Sequence, residues 1–124
     1  GNPLAVAAGL KTLEVLERDD PYAGMAELGR RLAEGVSEAA ADKGVPLHCA
    51  RLGGVFTLFF TRQPVRDLAD AKRIDTKAYA AVFHALLERG FYLPPSQFEV
   101  GFISAAHSEA DADRFVEAVR QVCG

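Results

Sequence analysis

The sequence predicts an α+β fold, with helices packed on one face of a small, largely antiparallel sheet of three or four strands. Three observations predict it. Several long segments have helical periodicity, a β-branched and aromatic run follows the tight-turn pair Gly53-Gly54, and the predicted elements follow the order α-α-β-β-α-β-β-α. A length of 124 residues fits a single small domain spanning residues 1–124.

The first helix is predicted from about Pro3 to Arg18. Asn2 suits the N-cap position and Pro3 the first helical position, where its missing N–H costs nothing. The opening turns are small and apolar almost all round, so they lie either in this domain's own core or against a missing partner surface. Because the helix begins with the chain itself, at Gly1, we expect a fragment of a longer polypeptide.

Asp19-Asp20-Pro21 breaks this helix, and the second is predicted from about Tyr22 to Lys43, ending before Gly44. Glu27 and Arg31 are expected to pair on its outer face. Its inner face is predicted from apolar residues at steps of three and four: Met25, Leu28, Leu32, Val36 and Ala39.

A hairpin is predicted next, with strands Leu47–Leu52 and Val55–Thr61 joined by a Gly-Gly turn. Phe56, Leu58 and Phe60 should share one face of the second strand. The polar segment Arg62–Asp75 is predicted to be a solvated, mixed-charge loop with a short helical turn from Asp67 to Lys72, and an anion-binding patch is the alternative.

A third long helix is predicted from Asp75 or Thr76 to Arg89, with Gly90 after it. Its inward residues are Tyr79, Val82, Phe83, Leu86 and Leu87. Short strands are then predicted at Phe91–Leu93 and Phe98–Ser104. A last helix begins at Ser108, whose spacing to Asp111 matches a capping box, and its apolar face is Ala112, Phe115, Val119 and Val122.

Composition disfavours several classes of protein. The formal charge of −3 disfavours a nucleic-acid binder, and no apolar run approaches the ~18 residues of a membrane-spanning helix. Two distant cysteines, Cys49 and Cys123, form neither a disulfide framework nor a zinc motif and are typical of a reduced, cytoplasmic protein.

Most candidate catalytic groups lack the neighbours that their chemistry needs. His48, His84 and His107 have no second ligand at metal-binding spacing, so no metal site is predicted. A lysine must be desolvated to form a covalent bond with a carbonyl cofactor, but all four lysines lie among polar neighbours: Lys11, Lys43, Lys72 and Lys77. We therefore expect no catalytic residue and no bound cofactor in this chain alone.

Glu99 is the exception, because it interrupts the apolar run Phe98–Ser104. If Phe98, Val100 and Phe102 face the helices, then Glu99, together with Gly101 and Ile103, faces away from the core. It then meets either water or a surface belonging to the rest of the protein.

Four stretches carry a family resemblance, namely Gly1–Leu10, Gly54–Thr61, Leu93–Phe102 and Ile103–Ser108. Together they resemble the glutamate-1-semialdehyde aminomutase family of class III aminotransferases, which have the type I fold of pyridoxal 5′-phosphate enzymes. The resemblance spans essentially the whole chain. The first stretch is shared with many aminotransferases, and the later stretches are more specific.

The resemblance implies that the complete enzyme converts glutamate-1-semialdehyde to 5-aminolevulinate, a tetrapyrrole precursor, as a cytoplasmic homodimer that binds neither nucleic acid nor a membrane. It implies that this chain is the C-terminal domain, that residues 1–18 link it to a missing large domain, and that the catalytic lysine and most contacts to the cofactor lie in that large domain. Glu99 matches a family glutamate near the cofactor and substrate. Ser104 and His107 match family positions that we interpret as structural.

Two alternatives remain. One is the C-terminal domain of another class III aminotransferase, acting on an ω-amine. The other is a free-standing α+β binding or dimerisation module.

Overall fold

The computed structural model describes all 124 residues and confirms the α+β architecture. The strands form one antiparallel sheet in the order β1-β2-β3. None of the helices is long and apolar enough to span a bilayer. The elements are α1 (Pro3–Asp19), α2 (Tyr22–Asp42), β1 (His48–Leu52), β2 (Val55–Phe59), α3 (Leu68–Ala71), α4 (Thr76–Leu87), β3 (Gly101–Phe102) and α5 (Glu109–Val122).

The hydrophobic core lies between the sheet and three helices, α2, α4 and α5. Helices α2 and α5 make the most extensive contact, and α2 also covers β1. The strands contribute Cys49, Phe56 and Leu58, whose side chains alternate inward as the hairpin prediction required. The innermost side chains are Val36, Leu58, Leu86 and Val119.

The hairpin forms as predicted. Gly53 takes a positive φ of 58°, which the tight turn requires and which a glycine adopts without strain. Gly29 of α2 lies directly against the Gly53 carbonyl oxygen, so that a Cβ at position 29 would collide with backbone. Helix α2 thus packs against the turn itself.

The strand predicted at Phe91–Leu93 is wrong, because this segment has no regular secondary structure. It runs into Pro94 and Pro95, which have no N–H with which to pair in a sheet. Leu93 is buried in the core and Tyr92 is largely exposed. The segment therefore fills the core without joining the sheet.

The strand predicted over Phe98–Ser104 shortens to Gly101–Phe102, and its two faces are the reverse of those predicted. Gly101 is paired with Phe56, and a Cβ at position 101 would lie 2.7 Å from the Phe56 ring. The glycine therefore faces the core with Ile103, which is buried. Phe102, predicted to face the helices, is 70% exposed.

Helix α4 ends at Leu87, two residues before the predicted end at Arg89, and Leu87 is exposed rather than inward. Tyr79, Phe83 and Leu86 are buried as expected. Asp75 caps the helix, with its carboxylate accepting from the N–H groups of Lys77 and Ala78.

The expected Glu27–Arg31 pair does not form. The Arg31 guanidinium instead makes two 2.7 Å hydrogen bonds to Asp113 and a longer one to Glu109, across the α2–α5 contact. Glu27 pairs with Arg30, one position earlier. Long-range packing thus directs the arginine away from its local partner.

The segment between β2 and α4 folds around a buried carboxylate rather than being uniformly solvated. Asp70 is buried, and its side chain accepts hydrogen bonds from the Arg66 backbone and guanidinium, at 3.1 and 3.0 Å, and from Arg73. The Asp67 side chain caps α3 by accepting from the Asp70 N–H. The Arg66 guanidinium holds the pKa of Asp70 below its usual value. The predicted helical turn is confirmed as α3.

Helix α1 forms as predicted, with the Asn2 side chain accepting from the Leu4 N–H at 2.9 Å. No residue of this helix is buried. Leu10 and Leu13 are 58% and 63% exposed, so the opening turns do not lie in the core of this chain. The helix ends at Asp20, a non-glycine residue with a positive φ of 37°.

Candidate functional site

Glu99 lies in an irregular segment, Pro94–Val100, between α4 and β3. Its side chain is exposed. Its N–H donates to the Ser96 carbonyl at 3.1 Å, and the Phe98 N–H donates to the Ser96 hydroxyl at 3.2 Å. This turn explains why the predicted strand does not include Glu99. Glu99 is the last residue of this turn, which lies just before β3.

Two side-chain hydroxyls hold this segment, one from a buried residue and one from a half-buried residue. Tyr79 of α4 donates to the Pro94 carbonyl at 2.6 Å, and Thr57 of β2 donates to the carbonyl of Glu99 itself at 3.3 Å. The Tyr79 ring is buried and packs edge-on against Phe60. The two ends of the segment are therefore attached to two different elements.

Gln97 is the side chain that this segment inserts into the interior. It is 97% buried, since only 3% of it is exposed, and neither its amide oxygen nor its amide nitrogen has a partner within the chain. An unpaired buried polar atom is costly, on the order of 1–3 kcal/mol. The segment that carries Glu99 thus also contains a buried side-chain amide that makes no hydrogen bond within this chain.

Glu99 also acts electrostatically on Tyr79. Burial raises the pKa of the Tyr79 hydroxyl, and the negative charge of Glu99 raises it further, since both disfavour the phenolate. Tyr79 thus remains a hydrogen-bond donor through the neutral pH range.

The sequence alone placed Tyr79 in the core and did not identify it as part of the site. The signal available was that a buried tyrosine hydroxyl usually needs a partner.

Ser104 and His107 are hydrogen-bonded to one another. The His107 Nδ1 atom accepts from the Ser104 N–H at 3.0 Å and lies 3.1 Å from its hydroxyl. Nδ1 accepts this backbone bond, so in a neutral ring the proton is on Nε2. This pair closes the turn before α5. His48 and His84 are exposed on β1 and α4.

Pyridoxal phosphate enzymes attach the cofactor to a lysine, and helix N-termini can bind a phosphate. All four lysines of this chain are exposed, so none is desolvated. The N-termini of α1, α4 and α5 are capped by the side chains of Asn2, Asp75 and Ser108, whereas α2 follows Pro21 and has no side-chain cap. What the chain offers a cofactor or substrate at the turn is one exposed carboxylate, Glu99.

Other reactive groups are few. Cys49 is buried on β1, and desolvation raises the pKa of its thiol to about 12, so it is unreactive. No cluster of three or more histidine, cysteine or acidic residues could hold a metal ion. An open, mainly apolar groove of about 530 Å³ lies among α5, β3 and residues 90–94, and Glu99 does not line it.

Curated relatives match almost the whole chain. Glutamate-1-semialdehyde 2,1-aminomutase of Thermus thermophilus is 48% identical over 122 residues, covering 98% of this chain and 29% of the relative. The protein of the same name from Opitutus terrae is 45% identical over 119 residues, covering 96% and 28%. The chain thus spans less than a third of the length of these relatives. No family model matches it.

Solved structures share the fold. An omega-transaminase from Sphaerobacter thermophilus has a TM-score of 0.81 at 24% identity, covering 99% of this chain and 28% of that one. A structure described as a transaminase with PLP bound has a TM-score of 0.78 at 21% identity, covering 98% and 27%. A glutamate-1-semialdehyde-aminomutase from Pseudomonas aeruginosa has a TM-score of 0.72 at 22% identity, covering 82% and 22%.

Proposed function

We propose that this chain is the C-terminal domain of a glutamate-1-semialdehyde 2,1-aminomutase, a pyridoxal phosphate enzyme of the cytoplasm that forms 5-aminolevulinate. The observation that carries the proposal is 48% identity over 98% of the chain to a curated relative of that name. The fold shared with transaminases supports it independently of sequence.

The work of the enzyme is divided between this chain and the rest of the protein. When bound, pyridoxal phosphate supplies the electron sink for moving an amino group between adjacent carbons. Because this chain has no desolvated lysine, the covalent attachment and the phosphate contacts belong to the part of the relatives that this chain does not span. This chain alone is therefore inactive.

Glu99 is the residue through which this chain contributes to the site. Glu99 is the last residue of a turn whose backbone Thr57 holds, and its side chain is exposed, so the carboxylate is available to a substrate bound against this surface. A carboxylate in that place attracts the ammonium group of the substrate or accepts and returns a proton during amino transfer. Neither role requires Glu99 to touch the cofactor.

Helix α1 is the proposed connection to the large domain. It is well formed and apolar, yet Leu4, Val6, Leu10 and Leu13 are all more than half exposed. An apolar strip of this kind marks an interaction surface. The large domain of the same polypeptide covers it, in an enzyme that is a homodimer.

The test uses the full-length protein that contains this chain. Supplied with glutamate-1-semialdehyde, it should form 5-aminolevulinate without an external amino acceptor. A requirement for an external acceptor together with turnover of ω-amines would instead indicate the alternative class III aminotransferase, which the Sphaerobacter neighbour favours by fold.

Glu99→Gln should lower kcat/KM at least about tenfold, because it removes a charged group that acts on substrate. Glu38→Gln is the matched control, since Glu38 is exposed on α2 and makes no ion pair. Equal rates in the two variants would remove Glu99 from the proposal.

This chain alone should not form a covalent product with the cofactor. After addition of pyridoxal phosphate and borohydride reduction, mass spectrometry should find no stoichiometrically modified lysine, because Lys11, Lys43, Lys72 and Lys77 are all exposed. Stoichiometric modification at one of them would contradict the proposed division of labour.

A further inference from the structure

The segment that carries Glu99 lacks the hydrogen bonds of a helix or a strand. A functional carboxylate must be held to within a fraction of an ångström to act efficiently. Since the segment Pro94–Val100 is not paired with a neighbouring strand, its position depends on contacts with other elements. The structure contains two such polar contacts, both made by hydroxyl groups.

The first contact fixes the start of the segment. Tyr79 is 95% buried, with 5% exposed, and its ring lies 6.4 Å from that of Phe60, so the side chain is held in the core. Its hydroxyl donates to the Pro94 carbonyl at 2.6 Å, a short hydrogen bond. Pro94 cannot donate a backbone bond, and this carbonyl is its sole backbone hydrogen-bonding group.

The second contact fixes the functional residue itself. Thr57 lies in the middle of β2, where it is paired with Ala50 of β1. Its hydroxyl donates to the Glu99 carbonyl at 3.3 Å. The sheet thus holds the backbone of Glu99 by a side chain, just beyond the point where β3 stops pairing with β2.

We propose that the Tyr79 and Thr57 hydroxyls are positioning groups that set the direction of the Glu99 carboxylate. This inference rests on the proposed function, in which Glu99 acts on substrate. The two hydroxyls come from α4 and β2, elements that share one core, so the turn is fixed at both ends relative to the same rigid body. Tyr79 and Thr57 do not contact substrate themselves.

A charge effect supports the pairing of Tyr79 with Glu99. Burial raises the pKa of the Tyr79 hydroxyl, and the negative charge of Glu99 raises it further. Because the phenol stays protonated, it remains a donor to the Pro94 carbonyl.

The experiment uses the full-length protein and removes one hydroxyl at a time. Tyr79→Phe and Thr57→Val keep the ring and the β-branched shape, respectively. Tyr92→Phe is the control, since the Tyr92 hydroxyl makes no hydrogen bond and the side chain is 75% exposed. We expect each of the first two variants to lower kcat about 3- to 10-fold, as loss of one hydrogen bond can, with KM changing less than about twofold.

The decisive comparison repeats both substitutions in the Glu99→Gln background. If the hydroxyls act through Glu99, removing either of them from the Glu99→Gln variant should lower kcat by less than about 1.5-fold, because the carboxylate that they position is already absent. A purely structural role would lower kcat by the same factor in both backgrounds, and that result would overturn the proposal.

Hydrogen exchange of peptides covering residues 94–102 gives a readout that does not depend on activity. Tyr79→Phe and Thr57→Val should each speed exchange at the Glu99 amide, which donates to Ser96, whereas Tyr92→Phe should not. Unchanged exchange overturns the positioning role even if the full-length protein proves to have another activity. Failure to form 5-aminolevulinate while exchange responds as expected would count against the proposed function alone. If Tyr79→Phe fails to fold, Thr57→Val decides.

Discussion

Helices α1 and α5 present opposite outcomes of similar local signals. Both have a side-chain N-cap and several apolar residues. Helix α5 buries Ala112, Phe115, Ala118 and Val119, and it packs against α2 and α4. Helix α1 buries nothing, although its average hydrophobicity exceeds that of α5.

The difference teaches that local signals and burial are separate properties of a helix. Caps and spacing decide where a helix begins and ends, whereas burial depends on a complementary surface. Helix α5 finds that surface within this chain, and α1 does not. The chain spans 29% of the length of its Thermus thermophilus relative, and our proposal that a large domain covers α1 supplies the missing surface.

The largest contrast is expected from truncating one apolar side chain in each helix. Phe115→Ala should destabilise the chain by about 3–5 kcal/mol, since Phe115 is buried and packs against Phe56 and Phe91. Leu13→Ala in α1 should change the unfolding free energy by less than about 0.5 kcal/mol. Denaturant unfolding measures both. Equal losses would show that α1 is packed in solution.

Replacing one glycine in α2 and one in α1 by alanine tests the same contrast between a packed helix and an exposed one, with smaller expected effects. Gly29→Ala should cost about 1–3 kcal/mol, because the new methyl group meets the Gly53 carbonyl. Gly9→Ala should be neutral or stabilising by up to about 1 kcal/mol, since no atom lies within 4 Å of its Cβ position. Thermal unfolding of the two variants tests the sign of each change, and a stabilised Gly29 variant would contradict the close contact.

The smallest change in stability is expected at acid pH, and it should differ between the N-cap of α5 and that of α1. Hydrogen bonds from Ser108 and the charge of Arg114 lower the pKa of Asp111 from 3.8 to about 2. A lowered folded-state pKa contributes stability above pH 3.8 that is lost as the pH falls towards 2. Between those pH values, the unfolding midpoint should fall more steeply in the natural chain than in Asp111→Asn. Parallel curves would mean that the capping box contributes nothing. Asn2 of α1 does not titrate in this range, so its cap should be insensitive to acid.

The helices and the hairpin could be predicted because their signals are local. Asn2, Asp75 and Ser108 cap helices as their side chains suggest, and Gly53 allows the turn. Local signals could not predict which residues of β3 face the core. Gly101 faces inward because the Phe56 ring takes the place of its absent side chain, and only the tertiary structure shows that contact.

The candidate site was predicted in part. Glu99 was singled out because a carboxylate interrupts an apolar run, and the structure leaves it exposed. The reason given, strand alternation, was wrong, because a turn at Ser96 places Glu99 outside the sheet. Tyr79 and Thr57 were missed as parts of the site because they lie 20 and 42 positions away in sequence, a separation that no periodicity spans.

The buried carboxylate of Asp70 gives the loop between the hairpin and α4 a degree of independence. Every hydrogen-bond partner of its side chain comes from Arg66 or Arg73, so the charge is neutralised without help from the core. Such a segment can be exchanged as a unit, provided that its two ends stay where they are. The segment joins β2, which carries Thr57, to α4, which carries Tyr79, so a tag or fluorescent label placed here must leave both of those elements in position.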